Sequence, residues 1–109
     1  MAKIRMVTLE KLLEMKANDE SFTLVETLSE EAYKEGHIPG AINIPSDRIV
    51  RLAQDQLDKG ETVVTYCADY ACKASTIAAA KLIDTGFEDV LDFKGGKKLW
   101  VDAGLELEQ

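Results

Sequence analysis

One run near the middle of the chain constrains the fold more than any other feature. Val63-Val64-Thr65-Tyr66 is β-branched and aromatic with no polar alternation, the pattern of a strand buried on both faces in a parallel sheet. Cys67 falls where that strand ends. After a short polar loop, Ser75-Thr76-Ile77-Ala78-Ala79-Ala80-Lys81-Leu82-Ile83 reads as a helix, with Ala78 and Leu82 on one face and Gly86 placed to end it. A cysteine between a strand end and a helix start would have loop amides and the helix dipole directed at its sulfur. That arrangement lowers a thiol pKa from about 8.5 and stabilises the thiolate. On position alone, Cys67 as a small buried hydrophobe stays open as the alternative.

Size and charge narrow the rest. A chain of 109 residues, 46% of them hydrophobic, builds one core and not two, so a single domain over residues 1–109 is expected. No apolar run approaches the roughly 20 residues of a membrane span, and Met1-Ala-Lys-Ile-Arg lacks the apolar core of a secretory signal. The expectation is a cytoplasmic protein. Two cysteines are too few for a disulfide framework and one histidine leaves no zinc set, so a reduced compartment and no metal are expected. A net charge of −7 argues against nucleic acid or an anionic membrane surface as the main partner.

Elsewhere the chain alternates strands with helices. Ile4–Val7 is a short first strand; Thr8 caps a helix whose buried stripe is Leu9, Leu12 and Leu13. Phe22–Thr27 is a second strand, and Ser29 caps a short helix with Glu30 and Glu31 in its first turn. Gly36–Pro45 brackets apolar residues with glycines and prolines, a fixed turn leading into a brief strand at Ala41–Ile44. Ser46 is placed to cap a helix with Ile49, Leu52, Ala53 and Leu57 on one face. Val90–Phe93 is the last strand, and Lys97–Ala103 the last helix, turning Leu99, Trp100 and Ala103 inward. The alternation predicts an α/β three-layer sandwich with a central, mostly parallel sheet of about five strands flanked by helices.

Three blocks give a resemblance. Gly36-His37-Ile38-Pro39-Gly40-Ala41-Ile42-Asn43-Ile44-Pro45, Tyr66-Cys67 leading to an alanine-rich helix and Gly86-Phe87, and Phe93-Lys94-Gly95-Gly96 with Trp100 and Ala103-Gly104-Leu105 together resemble the single-domain rhodanese family of sulfurtransferases over nearly the whole chain. The resemblance implies that Cys67 is the catalytic cysteine. It would take sulfane sulfur from a small donor such as thiosulfate or a persulfide, become a persulfide, and pass the sulfur to a thiophilic acceptor: cyanide, a small thiol or a protein thiol. A persulfide anion needs amide donors, which a loop closing on a helix N-terminus supplies without a cofactor.

The chain also departs from the family. Its active-site loop, read as Cys67, Ala68, Asp69, Tyr70, Ala71, Cys72, Lys73 and Ala74, is longer by two than is common there and lacks the frequent arginine. Lys73 is its only cation, Asp69 adds a negative charge, and Tyr70 has a ring that could cover the sulfur. Such a loop offers a dianion like thiosulfate less charge. Glu26-Thr27-Leu28 stands where the family usually shows Asp-x-Arg, a change of structural pairing expected to lie away from the sulfur. Cys72 is either a space-filling residue or a resolving thiol, the latter requiring Cα atoms about 4.4 to 6.8 Å apart.

The remaining polar residues read conservatively. His37 is a hydrogen-bonding turn residue before it is a base, Trp100 is core, and Lys94, Lys97 and Lys98 form a solvated charge run. Three functions compete: a sulfurtransferase, a binding or redox-regulatory module on the same fold, and a cysteine phosphatase. The last is disfavoured because no loop arginine can fork around phosphoryl oxygens. Oligomeric state has no signal in the sequence.

Overall fold

A computed structural model describes residues 4–109. In chain order it comprises β1 (Arg5–Met6), α1 (Leu9–Ala17), β2 (Thr23–Glu26), α2 (Glu30–Glu35), β3 (Ile42–Asn43), α3 (Ile49–Gln56), β4 (Thr62–Tyr66), α4 (Ala74–Asp84), β5 (Asp89–Phe93) and α5 (Gly96–Asp102). The strands form one sheet in the order β1-β5-β4-β2-β3, and every pairing is parallel. The expected sandwich is therefore present, with the sheet parallel throughout.

The apolar run explains why β4 lies in the middle. Successive side chains of a strand point to opposite faces, and both faces of β4 are covered. Val64 and Tyr66 join Leu12, Met15, Leu24, Ile38, Phe93 and Trp100 on the side of α1 and α5. Val63 joins Val25, Ile49, Ala53, Ala78, Leu82 and Val90 on the side of α3 and α4. Val63 and Val64 are both fully buried, each contributing about 1.5–3 kcal/mol by leaving water.

Local signals set the helix starts. Thr8 accepts from the Lys11 amide at 3.1 Å and Ser29 from the Ala32 amide at 3.2 Å, so both act as expected of N-caps. Ser46 does not. It opens a 3-10 turn over Ser46–Arg48, and α3 then begins without a side-chain cap; the turn after Pro45 takes up the residues that a cap would have preceded. Ala103, expected inside, is exposed at the end of α5.

Candidate active site

Two neighbouring strands send the chain in opposite directions: from β2 it moves outward to β3, and from β4 outward to β5 on the other side. Open α/β sheets bind ligands at such a divide, beyond the carboxyl ends of the strands. Cys67 follows the last residue of β4 there. Its side chain is 1% exposed and its Sγ lies 3.5 Å from the Ser75 hydroxyl in the first turn of α4. Ser75 is itself fully buried. Its carbonyl accepts the Thr65 hydroxyl at 3.1 Å, and the next hydroxyl, Thr76, donates to buried Asp92 at 2.7 Å. The start of α4 is thus fixed to β4 and β5, which holds a hydroxyl donor beside the sulfur.

The loop closes on itself. Cys67 and Cys72 form a disulfide, with Cα atoms 6.4 Å apart, inside the range a bridge needs. Asp69 organises the turn between them: its carboxylate accepts from the Ala71 amide at 3.0 Å and the Cys72 amide at 3.1 Å, and its carbonyl accepts from the Cys72 amide at 3.2 Å. Two loop amides expected to face the sulfur are therefore committed to a carboxylate within the loop. Ala74 is not in the loop; it is the first residue of α4, because Lys73 already has near-helical backbone angles and alanine favours helix. Tyr70 is 66% exposed and borders a groove of about 320 Å³ with Met6, Leu9, Lys94 and Leu99. Lys73 is exposed.

The segment after β5 holds this loop from the other side. The Lys97 amide donates to the Cys67 carbonyl at 3.0 Å and the Lys98 amide to the Ala68 carbonyl at 2.9 Å. The Lys94 ammonium donates to the Cys72 carbonyl at 2.9 Å. Gly96 makes the approach possible: its φ is +61°, and a Cβ there would lie 2.3 Å from the Cys67 carbonyl oxygen. Gly96→Ala is expected to cost at least about 2 kcal/mol, the left-handed conformation alone costing roughly 1–2. It should also slow alkylation of Cys67 in the reduced protein by moving the loop. Urea unfolding and timed iodoacetamide labelling check this; an unchanged midpoint and labelling rate would refute the close approach.

A buried ionic group that sequence reasoning missed pairs the end of β2 with α5. Glu26 ends β2 in register with Tyr66 and is fully buried. Its carboxylate accepts the Tyr66 hydroxyl at 2.9 Å and pairs with the Lys97 ammonium at 3.0 Å. Tyr66 in turn accepts the Ile38 amide at 3.1 Å, and Lys97 also donates to the Ala32 carbonyl at 2.9 Å. Burial pushes the Glu26 carboxyl up from the ordinary range, and its bonds from Lys97 and Tyr66 offset part of that. Burial and the Glu26 charge push the Tyr66 phenol up. Glu26-Thr27-Leu28, read from the sequence as a change of structural pairing, does carry one, through Glu26 with Tyr66 and Lys97. Thr27 donates its amide and its hydroxyl to the carbonyl of Tyr66, the residue preceding Cys67.

The lysine run is likewise not simply solvated. Lys97 is the partner of a buried acid and Lys94 holds the loop, while Lys98 pairs with Asp102 on the surface at 2.7 Å. His37 is a turn residue as expected: its ring stacks on Tyr33, and its nitrogens meet the Tyr33 carbonyl at 3.0 Å and the Glu108 carboxylate at 3.2 Å. The Gly40 amide and His37 together hold the Glu108 carboxyl below the usual range. Trp100 is core, its indole donating to the Glu106 carbonyl at 2.9 Å. Among the described residues no cluster of three or more His, Cys, Asp or Glu could hold a metal ion, and no helix is long and apolar enough to cross a membrane.

Comparison with known proteins agrees with this architecture. The chain is 36% identical over 91 residues to an HTH-type transcriptional regulator of Mycobacterium tuberculosis, covering 80% of this chain and 38% of the regulator. The chain therefore spans well under half the length of that relative. It is 31% identical over 83 residues to the thiosulfate sulfurtransferase GlpE of Pseudomonas syringae, covering 75% of this chain and 74% of that protein. The crystal structure of the BH2092 protein from Bacillus halodurans superposes with a TM-score of 0.87 at 35% identity, covering 95% of this chain and 76% of the other. The rhodanese-like domain matches residues 8–103, and with that extent of match over a five-stranded parallel sheet, the chain belongs to the rhodanese-like family.

Proposed function

We propose that this chain is a sulfurtransferase that carries sulfane sulfur on Cys67, over a single domain of residues 1–109, in the cytoplasm and without a cofactor. The observation that carries the reading is the position of Cys67: at the end of the central strand, at the divide of the sheet, beside the Ser75 hydroxyl. Reduction of the disulfide by a thiol exposes the nucleophile. The Cys67 thiolate attacks the donor's sulfane sulfur, and the remainder leaves with its electron pair, as sulfite from thiosulfate or as a thiolate from a persulfide. An acceptor thiolate or cyanide then attacks the terminal sulfur, and Cys67 leaves as thiolate. Ser75 can donate a hydrogen bond to the sulfur while it is anionic, worth more than one to a neutral partner.

Cys72 provides a second exit. Its thiolate attacks Cys67 Sγ, the terminal sulfur leaves as hydrosulfide with the electron pair, and the Cys67–Cys72 disulfide remains until a thiol reductant returns two electrons. The placement of the two sulfurs in one bridge favours this role over packing. The competing reading, a redox-regulated binding module without turnover, draws on the same bridge and on Asp69 occupying two loop amides.

Intact mass of the reduced protein after incubation with thiosulfate or a small persulfide separates the two. Gain of one sulfur atom, and its loss on adding cyanide, is expected. Cys72→Ser is expected to hold the persulfide longer, whereas the unsubstituted chain accumulates a disulfide-linked peptide. No sulfur gain from either donor would leave the binding module as the reading.

A further inference from the structure

Cys72 is held by its backbone from both directions. Its amide is bonded to the Asp69 carboxylate and carbonyl at 3.1 and 3.2 Å, and its carbonyl to the Lys94 ammonium at 2.9 Å. The anchor of the second grip is the sheet itself. Phe93 and Tyr66 are register partners, so Lys94 and Cys67 are the next residues of two adjacent strands and leave the sheet side by side. One lysine side chain then spans from that shared edge to the Cys72 peptide. Besides the bridge itself, two charged groups therefore bear on the Cys72 peptide, one of them anchored at the end of the strand next to β4.

We propose that Asp69 and Lys94 are positioning residues that fix Cys72 against Cys67 and so set the reduction potential of the pair. Their bonds to Cys72 go to its backbone amide and carbonyl. Holding one thiol near another raises its effective concentration without any new covalent feature, and a loop that closes already ordered loses less entropy on bridging. For the route in which Cys72 releases sulfide, which rests on the sulfurtransferase reading, the same two residues decide how a Cys67 persulfide divides between an external acceptor and Cys72. A tighter grip favours internal release.

The test is the dithiol–disulfide equilibrium in glutathione buffers, read by alkylation and mass, with no sulfur donor present. Lys94→Met keeps the aliphatic stem and removes the donor; the disulfide is expected to weaken about tenfold, as for one charge-assisted hydrogen bond. That corresponds to a potential about 30 mV less reducing. Loss of positive charge alone would disfavour the thiolates and strengthen the disulfide, so the sign separates positioning from bulk electrostatics. Lys94→Arg restores a donor and is expected to recover most of the shift. Asp69→Asn keeps an oxygen acceptor and Asp69→Ala does not, so Ala is expected to shift the equilibrium and Asn to stay near the unsubstituted protein. A Lys94→Met potential equal to or more reducing than that of the unsubstituted protein overturns the proposal. If Lys94→Met does not fold, equal potentials for Asp69→Asn and Asp69→Ala overturn it instead. Because no sulfur donor enters, a protein that fails to gain sulfur can still pass this test, and the two readings fail separately.

Discussion

Cys67→Ser is expected to lose sulfur loading from thiosulfate or a persulfide to below detection, a fall of at least about 10³-fold, while the fold survives. The loss follows from the chemistry of the step. A serine hydroxyl without an adjacent base is a far weaker nucleophile than a thiolate, and removing the atom that forms the covalent intermediate leaves the remaining groups with little to act on. Survival of the fold follows from the packing. The position is 1% exposed, and Ser75 Oγ lies 3.5 Å from the sulfur, so an introduced hydroxyl has a ready hydrogen-bond partner. The comparison belongs under reductant, where the Cys67–Cys72 bridge is absent from both proteins and its stabilisation, typically about 2–4 kcal/mol, does not confuse the result. Intact mass after donor incubation and a thermal melt of each protein are the measurements. Sulfur gain persisting in Cys67→Ser would move the sulfur-bearing atom to Cys72.

Lys97→Met should be the most destabilising single change in the buried network, at about 3–5 kcal/mol near neutral pH. The Glu26 carboxylate it abandons is fully buried, and an uncompensated buried charge costs about that much. The deficit carries a pH signature. Burial raises the Glu26 carboxyl in the folded protein, so the fold binds that proton more tightly than the unfolded chain does. The stability gained from binding it is fully present below the unfolded value of 4.5 and is lost as pH rises through the folded value. Without Lys97 two influences that hold the folded value down are gone, and the loss extends further toward alkaline pH. The deficit of Lys97→Met is therefore expected to be smallest near the ordinary carboxylate range and to grow toward neutral pH. Urea unfolding across that range measures it. A second substitution, Glu26→Leu, should recover much of the stability by removing the stranded charge; a deficit independent of pH and not relieved in that double variant would refute the pairing.

These two predictions mark how far the sequence could be read. Cys67, its strand and its helix were legible because Val63 to Ser75 is local: apolar run, cysteine, polar loop and helix lie in one stretch, and each signal constrains the next. Thr8 and Ser29 were legible for the same reason, since a cap acts over three residues. Glu26 and Lys97 were not, because their pairing spans most of the chain and no spacing rule links them. A signal did exist at Tyr66. A tyrosine in a strand covered on both faces must find a partner for its hydroxyl, and the acid ending the neighbouring apolar strand was the candidate. The lysines illustrate the opposite error. Lys94, Lys97 and Lys98 look like one solvated run, yet the turn at Gly95 and Gly96 sends them to the Cys72 carbonyl, to Glu26 and to Asp102. Asp69 was readable as a charge, while its use of the amides two and three residues on is the familiar reach of a short carboxylate in a turn.

The strand order also bears on how the chain reaches this structure. Among the described residues β1 pairs with β5 alone, Arg5 opposite Leu91 and Met6 opposite Asp92, so the first strand's partner lies more than 80 residues further along the chain. β2 and β4 close a much shorter span. Non-local pairings of this kind slow folding, because the chain entropy of closure is spent before the contact is made. Two residues of strand, with Met6 exposed and Arg5 paired to Asp89 at the surface, give that edge little to hold it once formed. The edge beside the Tyr70 groove is therefore expected to assemble last and open first, at a small fraction of the free energy needed to unfold β4.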